Sequence, residues 1–502
     1  KSSFGDFIAT TAGICFLVVF AFSQYTGIAN YNFVCPYSHE VTYGMFLFFL
    51  ILLTVRKYLA DPGPIHALLI GFLMGLVFLT KVEIFLAGFI SILCGFIIIF
   101  RQPDSFLTKK HLICLIISFL FPATAFFIYF SFHMSWVDAW NAVTASYQNI
   151  FIDTLAGNIY YQHLSGLDHP SKNIVLMLKY TFDYLIFFAF AGFIAWLFAR
   201  SVKKRTAYGI IIIILAFVIM MIFLGHYAIS WVDVARPYPV FILLLLAYLI
   251  ADLRLKRADH TYVSQHLPFT LLVMFSLLLL LKIILNVHFY HYGFALAMPA
   301  AMVMVTVLLH YIPTLISRRG NKTVVMSFSG LLIVLTILFY FNFTKHVYDT
   351  KTYPVARGRD KFFTFDAEHF NYGPVVGGTL AYLDQSMSGQ DSFIVLPDGV
   401  MLNYLSRRSN PSRYFEFTPN FVEAIGEATI INDISRNRPA FIILTKKDTS
   451  EHGAKYFGVD YARNIYSWIT DNYDKVHSIG DDTLSGKDFG ITIMKLKNNT
   501  RH

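Results

Sequence analysis

A polytopic α-helical membrane protein with a C-terminal extracytoplasmic α/β domain is the fold class this sequence predicts, and three observations predict it. Five short Lys and Arg clusters recur with apolar runs between them: Arg56/Lys57, Arg101/Lys109/Lys110, Arg200/Lys203/Lys204/Arg205, Arg254/Lys256/Arg257 and Arg318/Arg319/Lys322. Only 14% of the 502 residues are charged and 56% are hydrophobic, whereas a soluble protein carries about a quarter charged residues. Near residue 345 the composition shifts: charges return and long apolar runs stop.

A helix that crosses a bilayer needs about 20 predominantly apolar residues. The candidates are 7–27, 41–55, 65–80, 84–100, 112–131, 178–199, 207–227, 238–252, 267–286, 294–313 and 323–343, some of them short, which gives about ten to eleven spans. Two candidates usually lie between one basic cluster and the next, so all five clusters fall on one side, the cytoplasmic side by the positive-inside rule. With the first segment running outward, the outer loops are 28–40, 81–83, 132–177, 228–237 and 287–293, and the tail after 344 is also outside. The chain then divides into a transmembrane domain over 1–344 and a soluble domain over 345–502, in a multi-pass protein of the plasma membrane. The 51 Phe and 30 Tyr suit lipid-facing and interfacial surfaces. Much of the formal charge of +9 is cytoplasmic loop charge, so it is no sign of a nucleic-acid partner. Cys15, Cys35, Cys94 and Cys114 lie in or beside apolar runs without zinc-site spacing and read as small apolar fillers.

Segments 65–80 and 84–100 are separated only by Lys81-Val82-Glu83, a tight turn at one surface. In the long loop 132–177, Trp136, Trp140, Val143, Tyr147 and Ile150 recur at helical steps with polar residues between them. This pattern predicts an amphipathic helix with aromatic anchors, either in the membrane interface or packed as an ordinary loop helix. In the soluble domain, Ser392–Leu396, Ala440–Leu444 and Ile491–Leu496 read as short buried strands, and Val375–Met387 and Ala462–Tyr473 as helices. That mixture makes one small α/β domain.

An ionisable side chain at membrane depth costs roughly 2.5–3.5 kcal/mol on insertion scales. Here such residues gather at outer helix ends. His39-Glu40 opens the second span; Glu40 either caps the helix through its dipole or binds a cation or a sugar hydroxyl. Lys81 meets a phosphate as a point charge, or neutralises Glu83 within the turn. Arg236 offers a fork matched to phosphate oxygens, with Asp233 as the alternative partner. His288 and His291, with Tyr292, open another outer end; the two histidines share a helical face as a weak metal pair, or are plain interface residues. Together these acids, bases and aromatics on one face of a bilayer suit a substrate with a phosphate head and a lipid tail.

The segment from Tyr31 to Phe100 resembles the polyprenyl-phosphate-dependent membrane glycosyltransferases of the GT-C superfamily, such as glycosyltransferase family 39. The residues carrying the resemblance are Pro36-Tyr-Ser-His-Glu40 and Gly71-Phe-Leu-Met-Gly-Leu-Val-Phe-Leu-Thr-Lys81, with Tyr292-Gly-Phe-Ala-Leu-Ala-Met-Pro299 and the soluble C-terminal domain adding to it. The resemblance implies a sugar donor on a polyprenyl phosphate and a lipid, glycan or protein acceptor on the extracytoplasmic face. It implies that Glu40, with His39, helps place the donor phosphate or a divalent cation such as Mg2+ or Mn2+, and that Lys81 is the basic residue of the Leu-Thr-Lys helix end. Glu83 and Arg236 stand with them as phosphate or metal candidates by position, and Asp233, His288, His291 and Tyr292 as substrate-lining candidates. The family's principal acid lies in the first outer loop, and nothing before Tyr31 matches that loop. The resemblance therefore places the catalytic base N-terminal to Lys1, leaving the chain as given short of it.

The expected activity is glycosyl transfer with inversion at the anomeric carbon. Rival readings are a transporter or flippase of lipid-linked glycans, and a non-catalytic membrane scaffold whose C-terminal domain binds a partner or glycan. Transporters favour inverted repeats and helices broken at the midplane, and neither pattern is visible. For the scaffold, the run from Leu396 to Arg408 has polar and aromatic groups able to contact a sugar, and reads equally as an ordinary strand–loop–helix.

Overall fold

The computed structural model describes residues 4–25, 31–102, 107–148, 159–201, 230–316 and 322–497. The chain forms two compact units, Lys1–Ala156 with Gln162–Lys345, and Gly157–Tyr161 with His346–His502.

The first unit is helical. Its elements are α1 (Asp6–Cys15, continued by a π-turn over Phe16–Ala21), α2 (His39–Ala60), α3 (Pro64–Phe78), α4 (Val82–Phe100), α5 (Lys109–Ser131), α6 (Trp136–Gln148), α7 (Ile159–Ser165), α8 (Pro170–Ser201), α9 (Tyr238–Leu255), α10 (His260–Leu280), α11 (Gly293–Leu296), α12 (Met298–Thr306), α13 (Ile312–Ile316) and α14 (Lys322–Asp349). Among the described residues, eight helical stretches are long and apolar enough to cross a membrane, and Asp6–Ala21 and Pro64–Phe78 are shorter apolar helices. The chain is thus a polytopic helical membrane protein. The segment 207–227 and the basic residues Lys203, Lys204, Arg205, Arg318 and Arg319 lie outside the described residues.

Local chemistry sets the helix boundaries. Pro64 begins α3, where its missing N–H is not needed. The Thr108 hydroxyl accepts from the His111 amide at the start of α5, and the Asp259 carboxylate accepts from the Tyr262 amide at the start of α10. Helix α3 lies close against α5. A Cβ placed on Gly75 would come within 2.3 Å of the Phe119 carbonyl oxygen, so glycine is what allows the two backbones to approach. A core of Met45, Phe48, Ile84, Leu271, Phe275 and their neighbours joins α2, α4 and α10, with Phe48 and Phe275 stacked at 3.7 Å.

Helix α6 begins where its periodicity predicts, but its buried side differs from the expected aromatic stripe. Ala139 is buried, and Tyr147 donates to the Phe78 carbonyl at 2.7 Å and stacks on the Phe78 ring at 4.4 Å. Trp136 and Trp140 remain 76% and 57% exposed, as lipid-facing anchors would be. Ile150 lies outside the described residues. Helix α8 starts at Pro170, two turns before the apolar run that marks it in the sequence, because its first residues are polar.

The second unit contains a hairpin of β1 (Tyr353–Val355) and β2 (Phe362–Thr364), then α15 (Tyr372–Ser386), β3 (Phe393–Leu396), α16 (Met401–Ser406), α17 (Pro419–Ile425), α18 (Glu427–Asn437), β4 (Phe441–Thr445), α19 (Arg463–Asn472), β5 (Tyr473–Gly480) and β6 (Gly490–Leu496). The four-stranded sheet has the order β3-β4-β6-β5, with β3 and β4 parallel and the other pairs antiparallel. One core packs Ile394, Ile442, Ile430 and Ile469 together; another packs Phe393, Ile443, Leu383 and Ile493.

Candidate functional site

The turn from Leu79 to Lys81 joins α3 to α4, and the start of α2 stands beside it. Glu40 lies in the first turn of α2 and Glu83 in the first turn of α4, where a helix dipole favours a carboxylate. Lys81 does not neutralise Glu83 as the turn spacing suggests. Its ammonium is 3.7 Å from Glu40 Oε1, and both side chains are more than a third exposed. Glu83 instead pairs with Lys282, at the C-terminal end of α10. One Glu83 oxygen bonds that ammonium, while the other is buried without a hydrogen-bond partner. His39 stacks with Tyr43 one turn further along α2, centroids 5.9 Å apart.

Lys282 was not singled out by sequence reasoning, yet its signal is present. A single lysine stands within the apolar run Leu277–Leu285, and a charge so placed requires a partner. The ammonium also stands 5.7 Å from the Tyr292 ring centroid, a cation–π distance.

His288 and His291 do not share a helical face. They lie in the turn between α10 and α11, where His291 adopts a left-handed backbone (φ 53°). That turn closes so tightly that a Cβ on Gly293 would sit 1.9 Å from the His288 carbonyl oxygen. The His291 ring stacks on Tyr31 at 4.3 Å, and Tyr31 continues to Tyr37 at 5.6 Å and to Tyr292 at 5.8 Å. His288 is 4% exposed, hydrogen-bonds the Asn286 carbonyl through Nδ1, and has no partner at Nε2. Burial pushes its imidazole down to about 4.

Arg236 is 11% exposed at its side chain and held by three partners. Its Nε donates to Asp233 at 2.5 Å; its Nη1 donates to Asn173 Oδ1 at 3.2 Å and to the Leu285 carbonyl at 3.0 Å. The guanidinium therefore ties the 230–237 segment to the start of α8 and to the loop after α10. Tyr184 and Tyr340 hold the same segment from the sides, donating to the carbonyls of Val234 and Trp231 at 3.2 and 3.1 Å.

These contacts bring the starts of α2, α4 and α8, the 230–237 segment and the end of α10 to one end of the bundle. Three cations are each matched there by a carboxylate, beside a run of aromatic rings. The pairs differ in availability. Glu40–Lys81 is open and loosely closed; Glu83–Lys282 and Asp233–Arg236 are more buried and in direct contact. Among the described residues, no group of three or more His, Cys, Asp or Glu side chains gathers as metal ligands. No family model and no curated protein matches this chain.

Proposed function

We propose that the protein is a membrane glycosyltransferase that moves a sugar from a polyprenyl-phosphate donor to a lipid, glycan or protein acceptor on the extracytoplasmic face, and that the cluster at the start of α2 and α4 is its donor site. The observation that carries this reading is the loose Glu40–Lys81 pair, a partly exposed ammonium held at a helix junction at one end of the apolar bundle. The proposed orientation puts this end, and the second unit, outside.

In the transfer, the acceptor oxygen forms a bond to the anomeric carbon as the bond from that carbon to the phosphate oxygen breaks. The phosphate leaves with the bonding pair, and the acceptor proton passes to a general base. Charge grows on the leaving phosphate, so fixed cations nearby stabilise the transition state more than the ground state. Lys81 is suited to this task, since 3.7 Å separates it from Glu40 and a phosphate oxygen can compete for the ammonium. Lys282 and Arg236, in direct contact with their carboxylates, hold the loops in place and add a fixed field. The rings of Tyr31, Tyr37 and His291 offer flat surface for the sugar or the first isoprene unit. Mg2+ is commonly bound through one or two carboxylates together with substrate phosphates. Glu40 would hold such an ion beside the donor, where it would offset phosphate charge.

The test is transfer from radiolabelled polyprenyl-phosphate sugars by the protein in lipid nanodiscs. Lys81→Ala is expected to slow turnover about 100-fold at unchanged melting temperature. Failure to bind any of a panel of polyprenyl-phosphate sugar donors, or an unimpaired Lys81→Ala variant, would shift the reading to a lipid-linked glycan transporter or a scaffold.

A further inference from the structure

The β1–β2 hairpin that opens the second unit has one packed face and one bare face. On the packed face Val355 is 1% exposed, and a Cβ on Gly373 would lie 2.7 Å from the Tyr353 ring, so the start of α15 closes that side. The register sets Pro354 opposite Phe363 on the other side. Phe363 is 53% exposed, and Pro354 is exposed beside it. The turn between the strands, 356–361, is basic: Arg357, Arg359 and Lys361 are all exposed. The one acid in the turn is already matched. Asp360 accepts from the Tyr404 hydroxyl at 2.8 Å and pairs with the Arg407 guanidinium. Among the described residues, none of Arg357, Arg359 and Lys361 has a carboxylate partner. The Lys361 ammonium stands 5.0 Å from the Phe363 ring centroid, so bare ring and free charge lie together.

The chain itself keeps this hairpin near the bilayer. Helix α14 is long and apolar enough to span, its apolar run ends at Phe343, and Lys345 is the first charge after it. The helix continues to Asp349, and β1 starts at Tyr353. One turn of helix and a short extended link therefore separate Lys345 from the hairpin, a reach of at most about 20 Å. Over the rest of 346–502 acids outnumber bases. The unit as a whole is thus not drawn to an anionic surface, whereas the hairpin turn is.

Anionic lipid headgroups attract Lys and Arg that lie just outside a span, and the attraction fades within a Debye length. An aromatic ring beside such charges settles at the boundary between headgroups and acyl chains. The long stems of Lys and Arg lie along apolar surface while their charged heads stay among the phosphates. A strand from another chain is a poorer match, because β1 and β2 have three residues each and Pro354 lacks an N–H. We infer that the β1–β2 hairpin is a lipid-binding tip: Arg357, Arg359, Lys361 and Phe363 dock on the anionic phospholipid headgroups of the membrane that the chain spans. Docking ties the second unit to the membrane surface at a second point besides α14. The inference uses no residue of the donor cluster and stands apart from the transfer reading.

The experiment is photo-crosslinking of the full chain with p-benzoylphenylalanine in place of Phe363. The protein is reconstituted in vesicles of phosphatidylcholine, alone or mixed with phosphatidylglycerol. Mass spectrometry then identifies what the ring has captured. Lipid adducts are expected to be about fivefold more abundant in the mixed vesicles, the factor that one basic residue near an anionic surface supplies. Adding Arg357→Glu and Arg359→Glu should remove that increase at unchanged melting temperature, since both side chains are exposed. Hydrogen exchange of the unmodified chain is the second measurement, for the case in which the bulky ring disturbs the hairpin: peptides over 353–364 should exchange more slowly in the mixed vesicles. Equal lipid adducts in both vesicle types, an increase that survives the two charge reversals, or adducts to a second copy of the chain would each overturn the inference. So would the absence of lipid adducts together with unchanged hydrogen exchange.

Discussion

Lys81 and Lys282 stand near the same helix junction but serve different ends, and the distances separate them. Lys282 is locked to Glu83, while Lys81 keeps a looser hold on Glu40. Sequence spacing made Glu40, Lys81, Glu83, Asp233 and Arg236 legible, because charged residues are conspicuous in an apolar chain. The Asp233–Arg236 pair was legible as an i, i+3 partner choice, but the partners of Lys81 and Glu83 were not: the choice between Lys81 and Lys282 for Glu83 depends on how α10 packs against α4, and no local pattern encodes that. His288 supplies a pH prediction at this scale. Burial holds its imidazole near 4, against about 6.5 for an unfolded histidine. The folded state favours the neutral ring, so this contribution to stability is complete above about pH 6.5 and is lost as the pH falls toward about 4. The membrane unit in nanodiscs is expected to lose up to about 3 kcal/mol over that window. His288→Phe should flatten the slope of melting temperature against pH.

Among the elements, α3 and α5 make the sharpest demand. Gly75 faces the Phe119 carbonyl so closely that even a methyl group forces the helices apart. Gly75→Ala is expected to cost about 1–3 kcal/mol, the range for overpacking a tight site. Gly330→Ala in α14, where a Cβ meets nothing within 4 Å, is the control and should be neutral or slightly stabilising. Thermal melts of the two variants in the same nanodiscs check this. Apolar length made most helices readable, and α3 could be recognised as a helix rich in small residues. Strand β5 escaped because seven of its eight residues are exposed or only partly buried, so Tyr-Asp-Lys-Val-His-Ser-Ile-Gly shows neither an apolar run nor clean alternation. The hairpin β1–β2 is too short to give a period, with three residues in each strand. The strand–loop–helix reading of Leu396–Arg408 matches the end of β3 and α16, whereas the short helices α17 and α18 lie in mixed polar sequence, where only tertiary packing selects their apolar faces.

On the scale of the molecule, each unit has its own core, and the two should respond differently to acid. In the 481–488 loop of the second unit, Asp481 accepts from the amides of Lys487 and Asp488, and Asp482 from those of Leu484 and Ser485. These amides hold both carboxyls below the usual aspartate range. A lowered carboxyl pKa gives stability that is present above the unfolded value, about 3.9, and lost as the pH falls through the folded one. The second unit should therefore weaken below about pH 4, later in an acid titration than the His288 transition. Tryptophan-free variants of each unit, followed by fluorescence, would separate the two events. The matched charges at the end of the first unit have a different consequence. Moving one elementary charge through a potential of about 100 mV involves about 2.3 kcal/mol. Lys81 with Glu40, Lys282 with Glu83 and Arg236 with Asp233 sum to zero, so a shift of this cluster along the membrane normal carries no net charge. The transmembrane voltage does no work on it, and an ionophore that discharges sealed vesicles should leave the rate of the proposed transfer unchanged.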